Sequence, residues 1–202
     1  MKLYTSPRAP SPRRVRMYAA EKGIELEYID VDIATNETRS ADFLAINDIG
    51  ETPVLELSDG RRLTESLAIC RYLDETHVGP DLFGSTIDER AEINRWIDRL
   101  MFRLYVPTTH VFRHTHAFWK GRIPQVPAYG EVARAQVLEE ISALDRALAG
   151  REWVARSTFS MADIVGFVAL DFGKVVGLRV GPEWPEVSRW YDSVRSRPSA
   201  KA

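Results

Sequence analysis

The repeating pattern of the chain changes once, between residues 75 and 85, and this change limits the possible folds more than any other feature. Before it, segments that alternate apolar and polar residues, as strands do, take turns with segments of helical spacing. After it, every patterned segment is helical, and the loop itself carries Gly79, Pro80 and Gly84. We therefore expect a mixed α/β domain at residues 1–76, a linker at 77–86 and an all-helical domain at 87–202.

The first half predicts the order strand, helix, strand, helix, strand, strand, helix. Gly23 marks the end of the first helix, because glycine adopts the left-handed conformation that follows a helix end. Short connections and right-handed crossovers then leave a four-stranded mixed sheet flanked by three helices. The predicted strands are residues 2–5, 24–31, 53–57 and 61–63, and the predicted helices are 11–22, 40–46 and 65–74.

The second half predicts a helical bundle around one central helix. Residues 161–170 have almost no polar face, which is typical of a helix buried on all sides. A long helix from residue 87 is expected to end at Pro107, with a further helix at 110–119. Apolar faces predict two more helices, around 138–148 and 187–194. The expected apolar face of the long helix includes Ile87, Ala91, Ile97, Leu100, Met101 and Leu104.

Composition excludes several classes of partner. The 202 residues carry 27 basic and 29 acidic side chains, and this balance gives no electrostatic attraction to nucleic acid or to an anionic membrane. The single Cys70 cannot form a disulfide within the chain, and no apolar run reaches the ~18 residues that span a bilayer. The first residues also lack the apolar core of a signal peptide. We therefore expect a cytoplasmic protein.

Ser11-Pro12 is the first segment that could support chemistry. Serine is a preferred N-cap and proline suits the first helical position, so a helix is expected to begin here with main-chain N–H groups beside a hydroxyl. The positive end of a helix dipole stabilises an anion and lowers the pKa of a thiol. On spacing alone, a plain cap with solvated arginines is the simpler interpretation. The nearby cations are Arg8, Arg13, Arg14 and Arg16.

Two further segments could bind a peptide ligand. If the Thr52-Pro53 bond is cis, the main chain of Thr52 turns outward and can pair with an extended peptide, but only ~5–6% of such bonds are cis. Glu65 and Ser66 open the third helix, where a hydroxyl and N–H groups suit a carboxylate and the Glu65 carboxylate suits an amine. A plain helix cap is the alternative for this second segment.

Taken in order, these segments resemble the glutathione-binding half of cytosolic glutathione S-transferases. The resemblance rests on Ser11-Pro12, on residues 51–55 and on residues 64–73. Residues 159–164 are similar to the start of the buried helix in that family's helical domain, where Ser160 caps, Asp163 reaches back and Phe159 packs on Ile164. Each motif is weak alone, but their order is specific, and together they extend over about residues 3–200.

The resemblance implies a thioredoxin-like N-terminal domain, an all-helical C-terminal domain and a homodimer. It implies that Pro53 is cis, that Thr52 pairs with the cysteinyl main chain of glutathione, and that Glu65 and Ser66 hold its γ-glutamyl end. Ser11 falls where the serine-type classes have the hydroxyl that hydrogen-bonds the sulfur of glutathione. The resemblance therefore implies a serine-type bacterial member that is similar to the phi, theta and zeta classes. The implied activity is a detoxifying transfer of glutathione, as a thiolate co-substrate, to an apolar electrophile.

The chain departs from the family pattern near the expected sulfur site. Ser6 and Tyr4 are alternative hydroxyl donors, and Ser11 ranks first because only it stands at the helix start. The family more often has valine at the position of Thr52. No cysteine lies near the helix start, which counts against the thiol-reductase branch and differs from the Ser-Ser-Cys run of the zeta class.

The second substrate is expected between the two domains, near Arg8, Tyr105, Thr108 and Phe112. His110 and His114 lie four residues apart but have no apparent third ligand, so no metal is expected. Two other functions stay open. One is a non-catalytic interaction module, because this fold also occurs in translation and stress proteins, and the other is a glutathione-dependent isomerase or peroxidase.

Overall fold

The computed structural model describes residues 1–202 and contains two compact units. One comprises Met1–Asp81 and Pro198–Ala202, and the other comprises Leu82–Arg197. The last five residues therefore belong with the first unit, although the sequence pattern grouped them with the helical domain. The reason is a set of polar contacts with the first long helix, in which Arg13 Nη2 donates to the Ala200 carbonyl at 2.8 Å and Ser199 Oγ donates to Glu21. None of the helices is long and apolar enough to cross a bilayer.

The first unit is built on a four-stranded mixed sheet, as predicted. Its spatial order is β2-β1-β3-β4, with β1 parallel to β2 and antiparallel to β3. Leu3 of β1 is fully buried and pairs with Tyr28 on one side and Leu55 on the other. This topology confirms a thioredoxin-like domain. The strands are β1 (Lys2–Thr5), β2 (Glu27–Asp30), β3 (Val54–Glu56) and β4 (Arg62–Leu63).

The helices of this unit are α1 (Pro10–Lys22), α2 (Ala41–Leu44) and α3 (Ser66–Thr76). Gly23 ends α1 in the left-handed conformation, as predicted, with φ 69°. The N–H of Ile24 then bonds the Ala19 carbonyl at 2.9 Å and completes the helix end. Residues 24–26 are thus taken up by this helix end and the turn after it, and β2 is shorter than the predicted 24–31.

The start of α1 corrects the sequence-based expectation. The helix begins at Pro10, and its N-cap is Ala9, which is extended and makes no side-chain capping bond. Pro10 explains the shift, because its fixed φ suits the first helical position and its ring favours an extended conformation in the preceding residue. Ser11 is therefore the second helical residue and not the cap.

A buried ionic contact joins α1 to α3. Tyr18 Oη donates to Asp74 Oδ1 at 2.6 Å, and Lys22 Nζ lies 2.7 Å from the same oxygen. The Lys22 side chain is almost fully buried. This contact fixes the relative position of the two helices whose amino ends carry the candidate binding residues.

The second unit contains α4 (Ile87–Leu100), α5 (Val106–Thr115), α6 (Pro127–Leu148), α7 (Met161–Gly173) and α8 (Pro185–Arg195). The helical segment does not end at Pro107 as expected, because Met101–Tyr105 form a π-helix that joins α4 to α5. Pro107 is the second residue of α5, where its missing N–H is tolerated. The expected face of α4 was also wrong at its start. Ile87 is 79% exposed, since at 100° per residue it lies on the opposite side of the helix from the buried Trp96.

Asp163 anchors the central helix α7. Its carboxylate is fully buried and accepts four hydrogen bonds, from the main-chain N–H groups of Val154 and Ser160, from Ser160 Oγ and from Trp190 Nε1. The predicted capping box is therefore present. Burial raises the pKa of the Asp163 carboxyl, and the four donors oppose that rise by favouring the charged form. Phe159, expected to pack on Ile164, has its ring edge-to-face against Trp153 at 5.2 Å.

We predict that Asp163→Asn destabilises the protein by about 2–4 kcal/mol. The amide would place an N–H₂ group against groups that all donate, so at least one buried donor would lose its acceptor. Urea denaturation measures the change, and Asp98→Asn on the exposed face of α4 is the matched control. Equal midpoints for the two variants would contradict this role of Asp163.

Candidate active site

The loop between β1 and α1 is held by a buried arginine. Arg16 is 8% exposed, its Nη1 donates to Thr5 Oγ1 at 2.5 Å, and its Nη2 donates to the Pro7 carbonyl at 2.9 Å. The N–H of Ala9 closes the loop on the Ser6 carbonyl at 3.0 Å. Burial lowers the pKa of Arg16, and the charge of Arg13 lowers it further. Arg16 therefore shapes the loop before α1 and is not solvated.

Ser11 and Ser66 share one guanidinium group. Arg14 Nη2 donates to Ser11 Oγ at 3.0 Å, and Arg14 Nε donates to Ser66 Oγ at 3.0 Å. Arg14 is only 2% exposed, so these bonds lie inside the unit. The structure thus links the start of α1 to the start of α3. Arg14 and Ser66, which form one of these bonds, are 52 residues apart in the sequence. Sequence reasoning placed Arg14 among the surrounding cations and missed this bridge, since no local pattern signals it.

The amino end of α1 offers fewer main-chain donors than expected. Pro10 and Pro12 carry no N–H, so among the first three helical positions only Ser11 has one. The N–H of Arg13 bonds the Ala9 carbonyl at 3.4 Å. The aligned peptide dipoles remain, but any anion here depends mainly on Ser11 for direct hydrogen bonds.

The Thr52-Pro53 bond is cis, which confirms the expectation from the resemblance. Thr52 lies just outside β3, and its main-chain N–H and C=O take part in no backbone hydrogen bond of the sheet or loops. Its Oγ1 is 3.2 Å from Ser6 Oγ, and Ser6 Oγ donates to the Val31 carbonyl at 2.7 Å. Because the only hydroxyl hydrogen of Ser6 points at Val31, Thr52 must donate to Ser6.

These contacts separate the three hydroxyls considered for the sulfur. Ser6 already donates to a carbonyl, and Tyr4 donates to Glu56 at 3.4 Å while its ring packs edge-to-face on Phe43. The Tyr4 ring also lies against the buried cluster that includes Val54. Ser11 is the hydroxyl of the three that stands in the first turn of a helix.

Glu65 has an unusual backbone conformation at the start of α3. Its φ is 63° and its ψ is 112°, a region that non-glycine residues rarely adopt, and its side chain makes no capping bond. Ser66 follows as the first helical residue and is buried. Strained residues of this kind are frequent at ligand sites, where the surrounding fold holds a side chain in an otherwise unfavourable position.

The residues expected to contact the second substrate differ in exposure. Arg8 is exposed in the β1–α1 loop. Tyr105 is buried at the end of the π-helix, and Thr108 is buried with its Oγ1 donating to the Leu104 carbonyl at 2.7 Å. Thr108 is therefore a packing residue of the helical unit, a correction that burial explains. Phe112 is half-buried, with its ring 5.2 Å from that of Phe172 and close to the rings of His116, Phe118 and Trp119.

The two spaced histidines bond to protein groups. Tyr129 Oη lies 3.0 Å from His110 Nδ1, and His114 Nδ1 accepts from the Val126 N–H at 3.1 Å. Burial lowers the pKa of His110, and the neighbouring His114 and Arg113 lower it further. No group of three or more histidine, cysteine or acidic residues is arranged to hold a metal ion.

Two domain models match the chain. The model "Glutathione S-transferase, N-terminal domain" matches residues 9–76, and "Glutathione S-transferase, C-terminal domain" matches residues 105–198. The chain belongs to the glutathione S-transferase family. Both matched segments carry features described above, the cis-proline and the Ser11–Arg14–Ser66 bridge in the first and the capping box of α7 in the second.

Relatives of this transferase include glutathione S-transferases and translation factors. "Glutathione S-transferase 2" of Saccharomyces cerevisiae is 34% identical over 100% of this chain and 88% of its own length. The crystal structure of Gtt2 from the same yeast superposes with a TM-score of 0.93 at 33% identity, covering 100% of this chain and 99% of that one. "Elongation factor 1-gamma 1" of Oryza sativa subsp. japonica is 29% identical over 88% of this chain and 44% of its own length.

Cys70 is expected to be unreactive in the folded protein. Its side chain is 0% exposed within α3, and burial raises the pKa of its thiol. A thiol reagent at neutral pH should therefore modify almost none of the native protein and one thiol per chain after unfolding. The single cysteine makes the stoichiometry unambiguous. Rapid modification of the native protein would show that this helix is not packed as described.

Proposed function

We propose that this transferase ionises the thiol of glutathione beside Ser11 and adds the sulfur to an apolar electrophile, in the manner of a serine-type member of the family. The sulfur forms a bond to an electrophilic carbon. In a substitution, the leaving group departs with the bonding electrons. In a conjugate addition, the electrons of the double bond move to the neighbouring carbon, which then takes up the proton released from the thiol. The observation that carries the proposal is the Ser11 hydroxyl, held by the buried Arg14 in the first turn of α1. A detoxifying role follows from this chemistry.

Ser11 can favour the thiolate through its own hydrogen. Its oxygen accepts from Arg14 Nη2 at 3.0 Å, and we propose that its O–H donates to a sulfur placed at the helix start. Hydrogen bonding to a charged donor also polarises the hydroxyl and makes it a stronger donor. Together with the dipole of α1, this donor would lower the thiol pKa from ~8.5 toward neutrality.

The other contacts to glutathione would come from two segments of the same unit. The unpaired main chain of Thr52, turned outward before cis-Pro53, suits the cysteinyl main chain as an added strand. The exposed Glu65 carboxylate suits the γ-glutamyl amine, and Ser66 with the amino end of α3 suits its carboxylate. Arg8, Tyr105 and Phe112 are proposed to contact the apolar co-substrate, and the reaction needs no metal.

We further propose that the protein is cytoplasmic and acts as a homodimer, without nucleic-acid or membrane partners. The near-neutral charge balance supports the absence of such partners. Light scattering on the purified chain is expected to give the mass of two chains at micromolar concentration. A monomer that retains full activity would contradict a functional need for the dimer. The bacterial origin expected from the sequence stays a prediction.

A non-catalytic interaction module is the second candidate. The similarity to elongation factor 1-gamma favours it, because that protein is a relative named for translation. Retention on immobilised glutathione together with conjugation of an aryl halide would support the enzyme, and the absence of both would support the module. Product analysis with electrophiles, isomerisable substrates and hydroperoxides separates transfer from glutathione-dependent isomerisation or peroxide reduction.

Ser11→Ala is expected to lower turnover with an aryl halide about 10- to 100-fold at neutral pH, because the thiolate loses its hydroxyl donor. The pKa of bound glutathione, read from the pH dependence of kcat/KM for the aryl halide at saturating glutathione, should rise. Ser58→Ala, in the exposed turn between β3 and β4, is the control and should leave both unchanged. If Ser11→Ala behaves as Ser58→Ala does, Ser11 does not activate the thiol.

A further inference from the structure

Arg14 is a charged side chain in an unusual place. It is among the largest fully buried side chains of the protein. Burying a guanidinium is unfavourable unless its N–H groups find acceptors, so a buried arginine calls for a specific explanation.

Two of its three nitrogens donate hydrogen bonds, whereas the buried Nη1 donates none, so the geometry of the two bonds indicates a role other than stabilisation alone. Nε and Nη2 donate to Ser66 Oγ and Ser11 Oγ, each at 3.0 Å, from one planar group. A guanidinium holds its N–H groups in a rigid fork, so the two serine oxygens are fixed relative to each other and not only to the arginine. One side chain therefore sets the distance between the starts of α1 and α3.

We propose that Arg14 is a positioning residue that couples the two ends of the glutathione site. It directs the Ser11 hydroxyl toward the sulfur and the Ser66 hydroxyl toward the γ-glutamyl carboxylate. This inference rests on the proposed function. Each serine oxygen accepts from Arg14, and the positive charge of the guanidinium polarises each hydroxyl and makes it a stronger donor.

Other charged or titratable side chains stand on the same two helices as Arg14 and Ser66, and they would respond to a change of charge at Arg14. Arg13 and Arg16 stand on α1, and Cys70, Arg71 and Asp74 stand on α3. The Cys70 thiol is 4.0 Å from the Arg14 carbonyl and fully buried. A test of Arg14 must therefore separate the loss of its two bonds from the loss of one positive charge.

Two substitutions of Arg14 make this separation. Arg14→Lys keeps the charge but has a single nitrogen, which cannot hold both hydroxyls as the fork does. Arg14→Met keeps an unbranched, largely apolar side chain and removes both the charge and the donors. We expect each variant to raise the KM for glutathione about tenfold and to lower the thiolate fraction of bound glutathione at neutral pH about tenfold. The thiolate is followed by ultraviolet difference absorbance, and thermal unfolding shows whether each variant is folded.

Arg13→Met is the matched control, because it removes an equal charge from the same turn, and Arg13 Nη2 donates to the Ala200 carbonyl. A wild-type-like Arg14→Lys, or an Arg13→Met as impaired as Arg14→Met, would overturn the inference, since charge alone would then be enough. If Arg14→Met does not fold, Arg14→Lys and Arg13→Met still decide the question.

A double-mutant cycle separates this inference from the proposed function. If Arg14 acts through Ser11, Arg14→Lys should lower the thiolate fraction much less in a Ser11→Ala background than in the wild type. A full additional effect in that background contradicts the inference. If Ser11→Ala alone changes neither the thiol pKa nor turnover, the proposed function fails instead, whatever Arg14 does.

Discussion

Hydrogen bonds from two buried arginines of α1 hold together the parts of the candidate site that the sheet alone leaves apart. Arg16 fixes the loop that leaves β1, and Arg14 connects the first turn of α1 to that of α3. Both side chains are at least nine-tenths buried, so their bonds form in a low-dielectric interior where they are strong and where an unmet donor is costly. The position of Ser11 relative to Ser66 follows from these bonds.

The starts of the helices differ in how their first main-chain groups are satisfied. The amino ends of α4 and α7 have complete capping boxes, so their first main-chain groups are satisfied by their own side chains. The amino ends of α1 and α3 have no side-chain cap, and at α3 the N-cap is Glu65 in a strained conformation. A helix start without an internal cap can bond to a ligand, whereas a capped one contributes mainly to folding.

The sequence predicted the fold well wherever the signal was local. The alternation of strand and helix patterns, the turn at Gly23 and the Ser160–Asp163 capping box all depend on residues that are close in the chain. Predictions failed where packing or chain geometry over several turns decided the outcome. The π-helix at Met101–Tyr105 keeps α4 and α5 joined despite Pro107, and the continuous pattern across this region gave no sign of it.

What the sequence by itself determined is therefore the order of elements, the two kinds of domain and the segments that resemble a glutathione site, because periodicity and capping residues act over a few positions. Only the tertiary structure decided that Arg14 and Arg16 point inward, that Thr52 contacts Ser6 and that Ser11 and Ser66 meet one guanidinium. These contacts join residues up to 52 positions apart. Whether an arginine is buried depends on acceptors from distant segments, and no local pattern encodes their presence.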